Sequence, residues 1–484
     1  MEIATRSLSG AKLQQPRALT WLFLTELWER FSYWSLYSLL VLYLVHRLHF
    51  SDANAYIIFA SFNALLYASP IIGGWIADTR LGQTHSIIQG AVWLVLGYIL
   101  LAFAHQTFLI YLSLGLLIWG NGLFKPNIGS QLGACYQEND SKRQRGFTIY
   151  YMGINIGATL GVLGCGWLVI KEGWLSTFLL VAFSMFIGLM IYLIKFQVIQ
   201  SDIKKPALVK PNSKSVISII MLGLLLVTPL GFMLSVANAV NIAMVVVSVF
   251  LVGYLIHIAF KQDRKNRRRM LLCLILTAIS IAFWALYMQI GSSLTLYTQR
   301  CVDLNIAGYK IDASMVVSLN GSWLLLLSPL LVKSWKWLEL KKREPLTDTK
   351  FLISIVAMML GYLVLAVSAS ALHPGEKSNL IWVVLSYGLQ TLGELCLSPI
   401  GLAMVTELAP DSCKSLMMGV WFLATAIASL CSGQLAKIAT VPSGATQAGH
   451  IAAIYAHAFY INALLAFVII VIFACFMGRL RKLL

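Results

Sequence analysis

The feature that most constrains this chain is the recurrence of long apolar runs. Fourteen stretches, at roughly 20–46, 54–77, 84–104, 107–124, 147–169, 174–196, 215–234, 238–260, 270–298, 314–335, 351–372, 379–404, 414–436 and 452–477, approach or exceed the ~20 residues that carry a helix across a bilayer's hydrocarbon core. Lipid offers no hydrogen-bond partners, so a spanning segment must be a helix or belong to a closed barrel. Barrel strands alternate apolar and polar residues, and these runs are solidly apolar. An all-α membrane protein is expected. Composition agrees, with 59% apolar and only 11% charged residues against about 25% charged in soluble domains.

The formal net charge of +17 looks like a nucleic-acid signal until its distribution is examined. Lys204, Lys205 and Lys210, then Arg264, Lys265 and Arg267 to Arg269, then Lys341, Lys342 and Arg343, then Arg479, Arg481 and Lys482 sit in short segments between or beside apolar runs. Assigning loops alternately to two sides gives about 28 Lys and Arg on one side and about 6 on the other, the asymmetry that orients membrane proteins. An even number of spans then places both termini of a multi-pass protein in the cytoplasm, with no nucleic-acid partner expected. The first run carries Glu26, Glu29 and Arg30 and lacks a small-residue cleavage site, unlike a signal peptide. The eight cysteines show no metal or redox spacing. No nucleophile elbow or phosphate loop is found either, so neither an enzyme nor a bound cofactor is expected.

Fourteen spans divide as six, two and six: 1–198 and 269–484 as six-helix bundles, and 199–268 as a linker with two additional helices. The middle pair is nearly uncharged and is expected to be a lipid-facing connector. Two flanking sixes suggest the major facilitator fold, with its solute site near the midplane between the bundles.

Ionisable groups inside spans are costly and mark function. Here they are chiefly Glu26, Glu29 and Arg30 in the first span, Lys125 at the end of the fourth and Glu394 in the tenth of the twelve core spans. Glu26, Glu29, Arg30, Tyr33 and Tyr37 recur at spacings of three or four, which places them on one helix face. That face must line a cavity. Three acids and two bases leave one net negative charge in a low-dielectric space, so a carboxyl there is expected to hold a proton part of the time. The alternative is that the charges pair as interhelical glue, with Glu26 and Arg30 satisfying each other at i, i+4.

These residues resemble a known family. Glu26-Leu-Trp-Glu29-Arg30-Phe31-Ser32-Tyr33 looks like the ExxERF motif of the proton-dependent oligopeptide transporters. Gly73-Gly74-Trp-Ile-Ala-Asp78, Phe124-Lys125-Pro126-Asn127, Gly146-Phe-Thr-Ile-Tyr-Tyr-Met-Gly-Ile-Asn155, Gly393-Glu394-Leu-Cys-Leu-Ser398-Pro399 and Gly419-Val-Trp421-Phe422 stand in the family's order. The resemblance implies a di- or tripeptide symporter, functional as a monomer in the lipid bilayer, with protons as coupling ion and no other cofactor. It implies that Glu26, Glu29, Arg30 and Lys125 couple protons. Glu394 would hold the peptide's amino end, Arg30 and Lys125 its carboxylate, and Asn155 and Asn320 its amide. Tyr33, Trp34, Tyr67, Trp284 and Trp421 would wall side-chain pockets, with Gln289 and Ser398 also at the site. Gly73, Gly74 and Asp78 would pack and gate the cytoplasmic side.

The chain departs from the pattern at Trp34, Tyr37 and Met288. Relatives place Tyr, Arg and an acid there, so an extracellular ion bridge is expected to be absent, with Gln289 or Tyr287 substituting. Two other readings remain open: a carrier of another amino-bearing or anionic solute such as an amino acid, a peptide-like drug or nitrate, and a non-transporting receptor.

Overall fold

The computed structural model of the protein describes residues 15–137, 140–204, 209, 211–408, 414–442 and 448–481. Lys205, Lys210 and Lys482 of the basic loops fall outside them, as does Cys413. The long helices are α1 (Arg17–Leu42), α2 (Asp52–Ile76), α3 (Gly82–Phe103), α4 (Thr107–Ala134), α5 (Ser141–Ile194), α6 (Ser213–Ser235), α7 (Ala237–Lys261), α8 (Arg264–Tyr287), α9 (Ser318–Leu340), α10 (Thr347–Ser370), α11 (Leu380–Leu408), α12 (Lys414–Ala436) and α13 (Ala448–Arg481). The described strands are one exposed two-residue pair, Asn305–Ile306 with Tyr309–Lys310.

Among the described residues thirteen long helices stand where fourteen spans are expected. The difference lies in α5, which covers the expected fifth and sixth spans and breaks only at Gly173, at φ 79°. A Cβ on Gly157 would lie 2.1 Å from the Leu27 carbonyl oxygen, and one on Gly188 would lie 3.2 Å from that of Thr25. These two glycines would stand about 46 Å apart along a straight helix, yet they touch one turn of α1. The chain therefore doubles back at Gly173, where only glycine enters the left-handed region without strain.

Glycines bring backbones together throughout this half. Gly161 lies under the Phe31 carbonyl, and Gly73 lies against the Gly122 backbone of α4, the small-residue packing of membrane helices. Pro70, Pro126, Pro229, Pro329 and Pro399 stand inside helices, as neighbouring helices permit in membranes. Between the two halves, α2 meets α12, where the Ser429 hydroxyl donates to the Ala60 carbonyl at 2.8 Å. On another side α5 meets α9, with Gly321 against Thr159.

The middle pair is not a purely lipid-facing connector. Helix α6 packs directly on α4, because Gly115 and Gly231 remove the side chains that would hold the backbones apart. Ser61 of α2 donates a buried hydrogen bond to Asn241 of α7 at 3.0 Å.

Gly157→Val should lower the melting temperature in detergent by several degrees, since overpacking costs about 1–3 kcal/mol. Gly129→Val, where a Cβ meets nothing within 4 Å, should leave it nearly unchanged. Scanning fluorimetry distinguishes the two.

Candidate functional site

The site begins on α1. Glu26, Glu29 and Arg30 are 0%, 2% and 6% exposed. Charges so placed must be paired, because leaving one alone costs several kcal/mol. The i, i+4 pair of Arg30 with Glu26 is present but is the longer of two. The Arg30 guanidinium grips Glu29 with both arms, Nε to Oε2 and Nη2 to Oε1, each at 2.5 Å. Such a two-point grip suits the planar fork. Glu26 Oε1 instead takes Lys125 Nζ of α4 at 2.6 Å, while Arg30 Nε stands 3.4 Å from it. The Tyr150 side chain of α5 also stands near Glu26. Lys125 keeps 33% of its side chain exposed and Glu26 none, so the cation is the water-facing member of that pair.

A line of tyrosines leaves this cluster. The Arg30 guanidinium sits 4.6 Å from the centroid of the Tyr33 ring, and Tyr33 stands near Tyr67 of α2. Trp34 packs on Tyr37 at 5.0 Å, and Tyr37 on Phe59 at 5.1 Å. Tyr67 lies within electrostatic reach of both Arg30 and Glu394. Tyr37 and Tyr151 also lie within reach of Glu394. The aromatic row therefore runs from the cations to the isolated acid.

Glu394 of α11 is held differently. Its Oε2 accepts from the Tyr287 hydroxyl at 2.7 Å and from Asn320 Nδ2 at 2.9 Å. The same amide nitrogen reaches Thr391 Oγ1 at 3.1 Å. Among the described residues no cation pairs with Glu394. It is a carboxylate oriented by neutral donors.

Other expected residues lie in varied places. Trp284 stands edge-on to Tyr287 at 5.3 Å, beside the Glu394 cluster, and Ser398 is half-buried one turn from Glu394. Trp421 is buried against Gly401. Asn155 Nδ2 bonds the Tyr151 carbonyl of its own helix at 2.9 Å. Gln289 is fully sealed: it donates to Ser432 of α12 at 2.8 Å and accepts from Ser293, which ties it inside the second half. Gly74 meets Pro126 at ordinary contact distance. Asp78 is exposed at the rim of a cavity of about 970 Å³ that Arg143 and Lys204 also line.

The expected loss of a bridge between halves holds at Met288 but not elsewhere. Asp52, at the start of α2, takes Arg300 through both oxygens at 2.6 and 2.8 Å. The Tyr455 hydroxyl, at 3.0 Å from Arg300, and the Val441 amide, at 3.2 Å from Asp52, complete the cluster. Sequence reasoning passed over this pair because both residues lie near loops, where charges are ordinary. Tyr150 was also missed, although it stands within a quoted motif, and so was the grip of Tyr287 on Glu394.

Comparison with known proteins gives one consistent result. The family model described as the POT family matches residues 84–454. Dipeptide and tripeptide permease A of Serratia proteamaculans is 34% identical over 459 residues, covering 94% of this chain and 89% of the relative. The permease of the same name from Escherichia coli is 34% identical over 448 residues, covering 92% and 88%. A solved structure, from work on substrate recognition in proton-dependent oligopeptide transporters, superposes with a TM-score of 0.84 at 28% identity, covering 96% of this chain and 99% of that one.

The pairing predicts an order of stability losses. Glu29→Gln breaks the two-point grip on the buried Arg30, which keeps only the longer pair with Glu26, and should cost about 3 kcal/mol. Lys125→Ala removes a partly wetted cation from a Glu26 that keeps Arg30 and Tyr150, so it should cost clearly less. Melting curves of the two variants in one detergent would check the order.

Proposed function

Because the chain belongs to the POT family, whose members share the major facilitator fold, we propose that it imports di- and tripeptides together with protons by alternating access. The observation that supports this most directly is the separation of unlike sites. Arg30 and Lys125 lie at one end of the tyrosine row, and Glu394, without a cation of its own, lies at the other. A short peptide is a zwitterion whose two ends complement that arrangement, while its side chains vary between the aromatic walls.

In this reading Glu394, aimed by Tyr287 and Asn320, takes the peptide ammonium. The carboxylate is taken by Lys125 and Arg30, which the acids hold in competition. A proton arriving on Glu26 or Glu29 removes one competing charge and frees a cation for the carboxylate. Asn155 and Ser398 line the space between, with Trp34, Trp284 and Trp421 behind, and Gln289 supports α8 from within. Asp52 and Arg300 close the outer face when the inner face is open, and Asp78, Gly73 and Gly74 serve the inner one.

The polytopic chain lies in the bacterial inner membrane with both termini in the cytoplasm, surrounded by lipid. It acts as a monomer, since the site is assembled from helices of one chain. Each proton moving down 100 mV supplies about 2.3 kcal/mol, enough for roughly a 40-fold gradient of a neutral cargo at about 1.4 kcal/mol per tenfold.

Reconstituted protein should accumulate labelled dialanine under an inward proton gradient and lose it on addition of a protonophore. Absence of uptake by folded protein would sink the proposal. Glu394→Gln should raise the apparent KM about 10- to 100-fold, since a hydrogen bond to a charged group contributes about 1.5–3 kcal/mol. Lys125→Ala should abolish gradient-driven accumulation; full accumulation in that variant would remove it from the coupling step.

A further inference from the structure

The two middle helices α6 and α7 have no part in the site, and their sequence suggested a separate unit between the bundles. Their contacts point elsewhere. The segment leading to them is fastened to the first half at the C-terminal end of the short helix Phe196–Asp202. Asp202 accepts from the Ala18 amide at 2.7 Å, Gln200 donates to Thr84 at 2.8 Å, and the Lys204 amide donates to the Ala134 carbonyl at 2.9 Å.

Helix α6 then interlocks with α4 backbone to backbone. A Cβ on Gly115 would lie 2.3 Å from the Val227 carbonyl oxygen, and one on Gly231 would lie 2.2 Å from that of Tyr111. One helical turn along on either side of Val227, Gly223 and Gly231 keep to one face, and Gly223 sits against Trp119 and Trp93. Trp93, Trp119, Ile76, Leu123, Ile219 and Val227 form a core of their own, to which only α2, α3, α4 and α6, with the turn after α2, contribute. Finally Asn241 of α7 holds Ser61 of α2. Helix α7 also touches α8 and α12 of the second half. In a membrane, apolar contact between helices exchanges with lipid at little cost, whereas close small-residue packing and hydrogen bonds persist.

We propose that α6 and α7 are a fixed part of the first bundle, and that the hinge between the two moving bodies is the dipeptide Gln262-Asp263. These two residues are the only chain between α7 and α8, and Gln262 is already extended at ψ 161°. The first body thus runs from α1 through α7, and α12 slides beneath α7 when the cavity changes sides. The proposal rests on the alternating-access reading for its consequence, though not for its geometry.

Two measurements test it, in a background lacking the exposed thiols Cys431 and Cys475 and Cys413. The first is a disulfide between Ser61→Cys and Asn241→Cys, which ties α7 to α2. Oxidation should leave dialanine uptake within about two-fold of the reduced protein. As control, Thr159→Cys with Gly321→Cys ties the halves together and should abolish uptake until reductant is added. Loss of uptake in the Ser61–Asn241 pair, restored by reductant, would overturn the proposal. The second needs no transport and separates this proposal from the functional one. Spin labels on exposed Ile217 and Phe108 should keep one distance across pH and peptide conditions, while Ile217 and Leu464 should separate by several ångströms. A change in the first distance as large as in the second would equally refute it.

Discussion

Burying Glu26, Glu29 and Arg30 on one turn of one helix is the constraint from which much of the first half follows. Lipid cannot solvate that turn, so its partners must come from neighbouring helices. Arg30 and Glu29 occupy each other, which leaves Glu26 to be neutralised by Lys125 from α4 and approached by Tyr150 from α5. Both helices must therefore press closely against α1. On α5, the glycines at 157 and 161 make this possible by admitting the α1 backbone where any side chain would collide, and Gly188 allows a further close approach. Two of the three stand before the reversal at Gly173 and one after it.

The second half holds its charge by an opposite device. Glu394 is steered by a phenol and an amide rather than neutralised by a cation. The difference has a functional sense. An acid already satisfied by a lysine must be released before it can do anything, and a proton can release it. An acid held by neutral donors is ready for a cationic group of the cargo. In the proposed function, coupling and recognition fall on different carboxylates, with the tyrosine row between them.

Much of this was legible in the sequence, and the illegible parts have identifiable causes. The apolar runs located the helices, and the spacing of Glu26, Glu29, Arg30, Tyr33 and Tyr37 located the polar face of α1 that packs inward. Spacing could not say which acid Arg30 would hold, because Glu26 and Glu29 both lie within its reach and a lysine 99 residues away decides the matter. Gln289 seemed a site residue from its place beside Tyr287 and Met288. Its partner Ser432 is 143 residues distant and nothing local announces it. Asp52 and Arg300 are separated by 248 residues, and each alone looks like an ordinary solvated charge. The extra helices read as a connector because hydrophobicity reports lipid and protein neighbours alike.

The glycines distinguish seams that stay from seams that move. Inside the first half, Gly73, Gly90, Gly115, Gly157, Gly161 and Gly231 meet backbone atoms of the facing helix. Backbone has no rotamers, so such a contact can only persist or be pulled apart. Between the halves the nearest atoms belong to side chains: Met315 and Ser314 against Gly166, Phe59 and Tyr37 against Gly291, Thr159 against Gly321, Ala60 against Gly433. Side chains such as Met315, Phe59 and Tyr37 can turn aside, which lets one surface pass over another without opening a void. By this criterion the Gly115 and Gly231 contacts between α4 and α6 belong with the backbone seams, in keeping with the proposal that the extra helices travel with the bundle that carries Glu26, Glu29 and Arg30.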